Sequence, residues 1–578
     1  MFTLFRLLKP YRLPLIAVIV LMLLQSLAQL YLPTLLSDIV DTGVVKGDVP
    51  FILKYGLYML CVALGATVCV VIASYLLARS ATGFGRDLRS KMFTHVESFS
   101  LGEFDKLSTS SLITRTTNDI AQVQQVIVMM RMFIGAPTML IGGVIMAIYK
   151  DAQLSIVLIS IIPILAFAIF AIMRKGIPLF KSLQVKIDKI NLVLRENLTG
   201  IRVIRAFNRT GHEQAKFEKA NLDYTQTAIK VNVIMSTMMP LMMLVFNLGV
   251  VVILWYGGIR IDHNQIEIGD LMAFIQYAMQ IMFSMFMMTM IFVMIPRASA
   301  SSVRINEVFA TTSSISVNAG ATNSSFGSSA GKGAVEFRHV TFSYPGAEQA
   351  AIRDISFRAE PGQVTAIIGG TGAGKSTLIN LLLRFYDTTE GSIEVGGVPL
   401  NKLDLAQLRE HIGYVPQKAL LFSGTVADNI RFGKQDATED EIRHAAQIAQ
   451  ASDFIGEMKD GYQSVLAQGG TNLSGGQKQR LSIARALARK PDIFVFDDSF
   501  SALDFKTDAK LRAALKAEIQ EATMIIVAQR VSTIMDADQI IVLDEGSIMG
   551  IGTHQELLKT CSVYQEIVAS QLSEEEIA

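Results

Sequence analysis

Gly369-Gly370-Thr371-Gly372-Ala373-Gly374-Lys375-Ser376-Thr377 fills every fixed position of the phosphate-loop pattern G-x-x-x-x-G-K-[ST]. An apolar run, Val364–Ile368, leads in and reads as a buried strand; Leu378–Phe385 leads out and reads as a helix. Strand, loop and helix are the context the pattern requires. Glycines let backbone N–H groups close around phosphate oxygens, and the helix N-terminus adds a favourable dipole. Lys375 places a point charge on the β- and γ-phosphates, and Ser376 offers a hydroxyl to Mg²⁺. The chain is therefore expected to take ATP and Mg²⁺.

Composition sets where that site works. The chain has 578 residues, of which 51% are hydrophobic and 18% charged, and its net charge is +1. Its mean hydropathy of +0.40 marks a membrane protein. Near-neutral charge excludes nucleic acid as the main partner. Cys61, Cys69 and Cys561 have no metal-ligand spacing and form no disulfide framework.

Crossing the hydrocarbon core takes about 20 apolar residues. Six charge-free runs meet or approach that length: Leu13–Leu36, Tyr55–Ala78, Met132–Tyr149, Ala152–Met173, Val231–Ile259 and Leu271–Pro296. The first is too long for a signal peptide and is expected to be retained. The third extends back through Val123–Arg131, which sets Arg131 toward the cytosolic end or facing the protein interior. Basic residues crowd the N-terminus and the connections after the second and fourth runs, so these sides are expected to be cytosolic. Both termini then lie in the cytoplasm. The two long connections carry apolar residues at helical intervals and read as helices leaving the bilayer, with tips near Phe104–Ser111 and Ala206–Glu213.

Thirteen of the 27 methionines lie between Met235 and Met294. In the sixth run Met279, Met282, Phe283, Phe286, Met290 and Met294 recur at spacings of three and four, with Gln276, Gln280 and Ser284 nearby. Two readings are open for this stripe: helix packing and lipid contact, or an adaptable surface for apolar ligands.

Residues 311–334 are rich in Ser, Gly, Ala and Asn, carry no acid, and read as a linker between a membrane part, 1–310, and a cytosolic part, 335–578. Val335–Phe342 alternates like a strand, and Tyr344 after it is placed to stack on a base. Ile493–Phe496 reads as a strand ending in Asp497-Asp498. Asp497 is placed to hold Mg²⁺, and Asp498 sits where a water-activating base belongs. Leu473-Ser474-Gly475-Gly476-Gln477 opens a helix running through Ala488 and makes a second anion-binding end. One chain with two phosphate sites suggests half-sites that meet across a dimer.

Six spans followed by such a part resemble an ATP-binding cassette (ABC) exporter over almost the whole chain. Ser474, Gly475, Gly476 and Gln477, after Leu473, match that family's signature motif without change. The resemblance implies an α-helical six-span exporter domain followed by an α/β P-loop NTPase cassette with a helical subdomain. It makes Tyr344 the adenine-stacking residue, Gln417 the Q-loop residue that reaches Mg²⁺, Asp504 part of the D-loop, and the two tips the coupling helices. ATP would lie between one cassette's phosphate loop and the signature motif of a second half.

Two positions depart from the family pattern. Asp498 stands where the catalytic Glu is usual, and Gln529 where the switch His is usual. Gln468 also replaces a frequent Glu. Asp is one methylene shorter than Glu, and a misplacement of an ångström costs about 100-fold. Gln529 carries no charge and shuttles no proton. Residues that hold Mg-ATP are kept while residues that hydrolyse it are changed. The resemblance is therefore to the degenerate-site subunit of a heterodimeric bacterial multidrug exporter in the plasma membrane. Its partner would be a second half-transporter with a Glu and a His, and its cargo amphipathic drugs or lipids. Rival readings are a homodimeric exporter with slow hydrolysis, a peptide or lipid-precursor transporter, and a regulatory subunit. If the methionine stripe contacts cargo, replacing Met282, Phe286 and Met290 with Ala lowers export of several drugs; unchanged export of all of them marks packing.

Overall fold

A computed structural model describes residues 2–315 and 333–571. Most of the 311–334 stretch expected to be a linker lies outside the described residues. The chain divides into two compact units, Met1–Glu97 with Ser110–Thr311, and Ser98–Thr109 with Thr312–Ala578.

The first unit is helical. Among the described residues six helices are long and apolar enough to cross a membrane: Arg6–Val44, Val49–Glu97, Thr109–Lys150, Ala152–Thr199, Thr210–Asp262 and Ile268–Ala310. They run 39 to 53 residues, about twice what a bilayer needs. The third carries a turn at Met129, just before Arg131. Small residues let these helices close on one another. A Cβ at Gly142 would meet the Leu30 side chain at 2.3 Å, and one at Gly143 would meet Ile281 at 3.0 Å. The third span thus packs tightly on the first and sixth.

Charges near the ends of the spans are paired. Asp151 accepts from Leu154 N at 2.6 Å and so caps the fourth span, and its other oxygen holds Arg260 at 2.8 Å. Lys150 reaches Asp270 at 2.8 Å and Ser37 at 3.0 Å. At the opposite end of the spans, Asp119 binds Arg304 and Ser301.

The short helices between spans are Leu101–Leu107 and Ile201–Ala206, a few residues ahead of the tips expected from sequence. Local chemistry explains the shift. Ser100 and Glu103 form a capping box that starts the first at Leu101. Asn208, at φ 53°, breaks the chain after the second, before Thr210 opens the fifth span.

The second unit is α/β. Its strands are β1 (Val335–Phe342), β2 (Ile352–Ala359), β3 (Val364–Gly369), β4 (Glu390–Val395), β5 (Val398–Pro399), β6 (Ile412–Val415), β7 (Gly424–Thr425), β8 (Val465–Leu466), β9 (Ile493–Asp497), β10 (Thr523–Val527), β11 (Gln539–Asp544) and β12 (Ser547–Gly552). The main sheet has the order β12-β11-β3-β10-β9-β6, parallel except at the β12 edge. A second sheet, β2-β1-β4-β5, is antiparallel. The parallel strands are buried on both faces, and alternate residues feed two cores. Phe494 and Phe496 join the core shared with the helices Glu439–Ile448 and Gly475–Ala488, while Ile493 and Val495 join the core under β1 and β2.

The Asp151–Arg260 pair gives a direct test of the membrane unit. Each side chain is about 10% exposed. Asp151→Ala leaves the guanidinium buried without its counter-charge and is expected to cost about 3–5 kcal/mol. The check is a lower melting temperature of the purified chain in detergent.

Candidate nucleotide-binding site

The phosphate loop lies at the carboxyl end of β3, and Asp497 at the carboxyl end of β9. Only β10 separates these strands: Val527 pairs with Ile367 on one side and Asp497 on the other. The crevice beyond strand ends is where α/β sheets take ligands. A cavity of about 330 Å³ opens there, lined by Tyr344, Thr371, Gly372, Gly374, Lys375, Ser376, Thr377, Gln417, Asp497, Asp498 and Gln529. Of the sequence candidates for the chain's own site, Gly369 and Ala373 belong to the loop but not to this lining. Ala351 and Val527 line it and were not singled out; they are small or apolar and carry no motif signal.

Backbone demands fix the loop's composition. Gly372 and Gly374 have φ of 87° and 97°, where a side chain is strained. A Cβ at Gly374 would also meet Ile352 at 2.7 Å. Helix Lys375–Leu382 follows at once, so its free N–H groups face the loop. Lys375 Nζ folds back and donates to the carbonyls of Gly369 and Gly370, both at 2.7 Å.

The charged groups here are held against their preference. Burial makes the Lys375 ammonium a stronger acid than usual, partly opposed by Asp498 and Asp497. Burial, then the neighbouring Asp498, pushes the Asp497 carboxyl above its ordinary range, opposed by a hydrogen bond with Ser376 and by Lys375. Both shifts are what an anionic phosphate and a cation would reverse. The residues present therefore fit ATP and Mg²⁺: amides and Lys375 for phosphate, Ser376 and Asp497 for the metal.

Asp498 has φ 45° and donates its backbone N–H to Val527 O at 2.9 Å. Its Oδ2 accepts from Gln417 Nε2 at 3.1 Å and from Gln529 Nε2 at 3.0 Å. The three positions singled out in the sequence thus meet at one oxygen. Tyr344 is held by its hydroxyl, 3.1 Å from Thr377 Oγ1, and by edge contact with Tyr386, ring centroids 5.4 Å apart. Tyr386 in turn donates to Asp105 Oδ2 at 2.9 Å, on the short helix Leu101–Leu107. That link joins residues 281 positions apart, and no local pattern announces it.

The signature stretch caps its own helix, Gly475–Ala488. Ser474 Oγ accepts from Gln477 N at 3.3 Å, and Gln477 Oε1 accepts from Ser474 N at 2.9 Å. Nothing lies within 4 Å of a Cβ built on Gly475, so this helix end is open to approach. Gln479 donates to Pro416 O at 3.2 Å and ties the helix to the segment that carries Gln417. Asp504 caps the helix Phe505–Glu518 through Thr507 N at 3.0 Å.

The methionine stripe divides. Met282 is buried against Leu165, Met238 and Met242, with Phe286 packed on the same cluster. Met279 and Phe283 are exposed and line a second cavity, of about 630 Å³, with Met22, Gln25, Ser26, Gln29 and Arg131. Met290 is exposed and lies outside that lining. Gln25 and Gln29 are four apart in a largely apolar run, a spacing visible in the sequence but not singled out there.

Comparison with known proteins places both parts. Residues 15–285 match the ABC transporter transmembrane region, and residues 352–501 match the ABC transporter cassette. An uncharacterized ABC transporter ATP-binding protein of Mycobacterium tuberculosis is 44% identical, covering 97% of this chain and 97% of its own. A probable multidrug resistance ABC transporter ATP-binding/permease protein of Bacillus subtilis is 33% identical, covering 96% of this chain and 95% of its own. The structure of a bacterial Atm1-family ABC exporter with ATP bound superposes with a TM-score of 0.79 at 25% identity, covering 97% of this chain and 99% of that one. The chain belongs to the ABC transporter family. It is a multi-pass membrane protein with the exporter fold, and its cassette couples ATP hydrolysis to transport.

Asp497 supplies a test of the site's electrostatics. A carboxyl whose folded value is raised favours the fold below its ordinary 3.8 and opposes it increasingly as pH climbs through the raised value. Asp497→Asn is therefore expected to raise the melting temperature of the nucleotide-free chain at pH 7. The gain should shrink as pH falls toward 3.8 in a calorimetric series.

Proposed function

We propose that this chain is the degenerate-site half of a heterodimeric exporter in the bacterial plasma membrane, with both termini cytoplasmic. Its cargo is hydrophobic or amphipathic, drugs or lipids; the Bacillus relative named for multidrug resistance supports that class. The membrane part is taken as 1–310 and the cassette as 335–578. Tyr344 stacks on adenine, residues 369–377 cradle the phosphates, and Ser376, Gln417 and Asp497 serve Mg²⁺.

The observation that carries the reading is the double donation onto Asp498. Two amide N–H groups sit on the oxygen a general base would turn to water. Neither amide takes up a proton or carries charge. A working base is worth roughly 10²–10⁴-fold. ATP is then held at this site and turned over slowly. Ser474, Gly475, Gly476 and Gln477 would complete a second site whose phosphate loop, Glu and His come from the partner. Closure of the cassettes on ATP would be passed through the coupling helices, and hydrolysis at the partner's site would reset it. Asp504 of the D-loop would lie at the same dimer boundary.

The test is ATP turnover by the purified chain in lipid, alone and with a second half-transporter. Bound ATP without turnover alone, and activity on adding the partner, are expected. Asp498→Glu with Gln529→His is expected to raise turnover at this chain's own site by about 10²-fold. Robust turnover by the unaltered chain alone would overturn the heterodimer and leave a homodimeric exporter using Asp498 as its base.

A further inference from the structure

A side chain outside every motif holds the main chain of the switch position. Gln571 Nε2 donates to Gln529 O at 2.8 Å, and Gln571 Oε1 accepts from Val531 N at 2.8 Å. The two bonded peptide groups flank Arg530, whose backbone is extended, with φ −101° and ψ 130°. A residue in a parallel neighbouring strand would engage the same carbonyl and the same N–H. The carboxamide thus continues the ladder of β10 past its end at Val527, where Ala528 N still donates to Ile367 O at 3.1 Å. Among the described residues no other side chain bonds the main chain from Ala528 to Val531.

Packing brings Gln571 to this place. Helix Ser562–Ala569 buries Tyr564 and Val568 in the same core as Ala528, Val531 and Ile534. The Tyr564 hydroxyl lies 2.7 Å from His554 Nδ1, and Gln571 N donates to Val568 O at 3.0 Å. Gln529 and Gln571 are both exposed, so water could satisfy the Gln529 carbonyl; water would not fix where it stands. An exposed glutamine gives up rotamer freedom to make two such bonds, and what they secure is position. The bonds fall on peptide groups, so they place whatever side chain stands at 529. Here that side chain departs from the usual His, yet the hold on its main chain is complete. From this main chain Gln529 Nε2 reaches Asp498 Oδ2 at 3.0 Å and lines the nucleotide cavity.

We propose that Gln571 is a positioning residue of the nucleotide site: by holding the peptide groups on either side of Arg530 it sets where the side chain at 529 stands against Asp498, and so sets the rate of hydrolysis rather than the affinity for ATP. The inference rests on the nucleotide-site reading and not on how two halves assemble.

The experiment uses the full chain in lipid nanodiscs and has two arms. In the first, Asp498→Glu with Gln529→His supplies turnover, and Gln571→Met and Gln571→Glu are added to it. Methionine keeps the reach and packing of Gln571 and loses both bonds; glutamate keeps an acceptor for Val531 N and loses the donor to Gln529 O. Gln571→Met is expected to lower kcat about tenfold, less than the roughly 100-fold of a full ångström of misplacement, and Gln571→Glu about threefold. KM for ATP is expected to stay within about twofold, which also shows that the cassette folds. The second arm needs no hydrolysis. Gln529→His alone places an imidazole beside the Asp498 carboxylate, with Asp497 and Lys375 also lining the cavity. Nuclear magnetic resonance of the histidine-labelled, nucleotide-free chain is expected to show this imidazole titrating above its ordinary value of about 6.5, and Gln571→Met is expected to return it toward that value. An imidazole that titrates alike with and without Gln571→Met overturns the proposal, and so does an unchanged kcat or a loss confined to KM. A residue that merely ends the helix would lower the melting temperature and move neither readout. No turnover from Asp498→Glu with Gln529→His would count against the degenerate-site reading and leave the titration to decide this one.

Discussion

A peptide group left without a hydrogen bond in hydrocarbon costs several kcal/mol, and this constraint shapes more of the chain than any motif does. It forces the membrane-crossing parts to be helices. Once begun, those helices have no reason to stop at the headgroups, and here they run 39 to 53 residues. Side-chain chemistry then follows the same economy. Backbones approach where glycine permits, as at Gly142 and Gly143. Charges near the ends of the spans find opposite charges, as at Asp151–Arg260 and Lys150–Asp270.

The cassette answers the opposite problem: how to keep charge available. Its parallel sheet is dry on both faces, yet the ends of β3 and β9 present Lys375 and Asp497 where burial penalises both. Such a site is held poised by a well-packed sheet, and a charged ligand relieves it. Asp498 differs from its neighbour. It is less buried, and its carboxylate is tied to two side-chain amides rather than to a lysine or a serine. Adjacent acids thus sit in unlike surroundings.

Much of this was legible because it is local. The phosphate loop, the strands Val335–Phe342 and Val364–Gly369 and the signature helix ending at Ala488 follow from periodicity and glycine placement within a few residues. The spans follow from length and hydropathy. What the sequence concealed is mostly tertiary. Nothing near Tyr386 points to Asp105, and a stripe at helical spacing does not say which of its methionines meets protein. The short helices were misplaced by a few residues for a different reason. The capping box of Ser100 and Glu103 starts the first of them at Leu101, ahead of the stretch that the apolar spacing points to.

Ser474 has a consequence for how such a chain ages. Its hydroxyl accepts a bond that starts the helix Gly475–Ala488, and losing such a cap costs about 1 kcal/mol whatever the chain does. Selection for a folded protein alone therefore preserves that position. Asp498 and Gln529 make no comparable contribution: their side chains hold each other at the rim of the crevice. Mutation can wander there without unfolding anything. A lineage relaxed from hydrolysis would lose its own base and switch first and keep its signature longest, since one half of the machinery is written into the fold and the other half only into the chemistry.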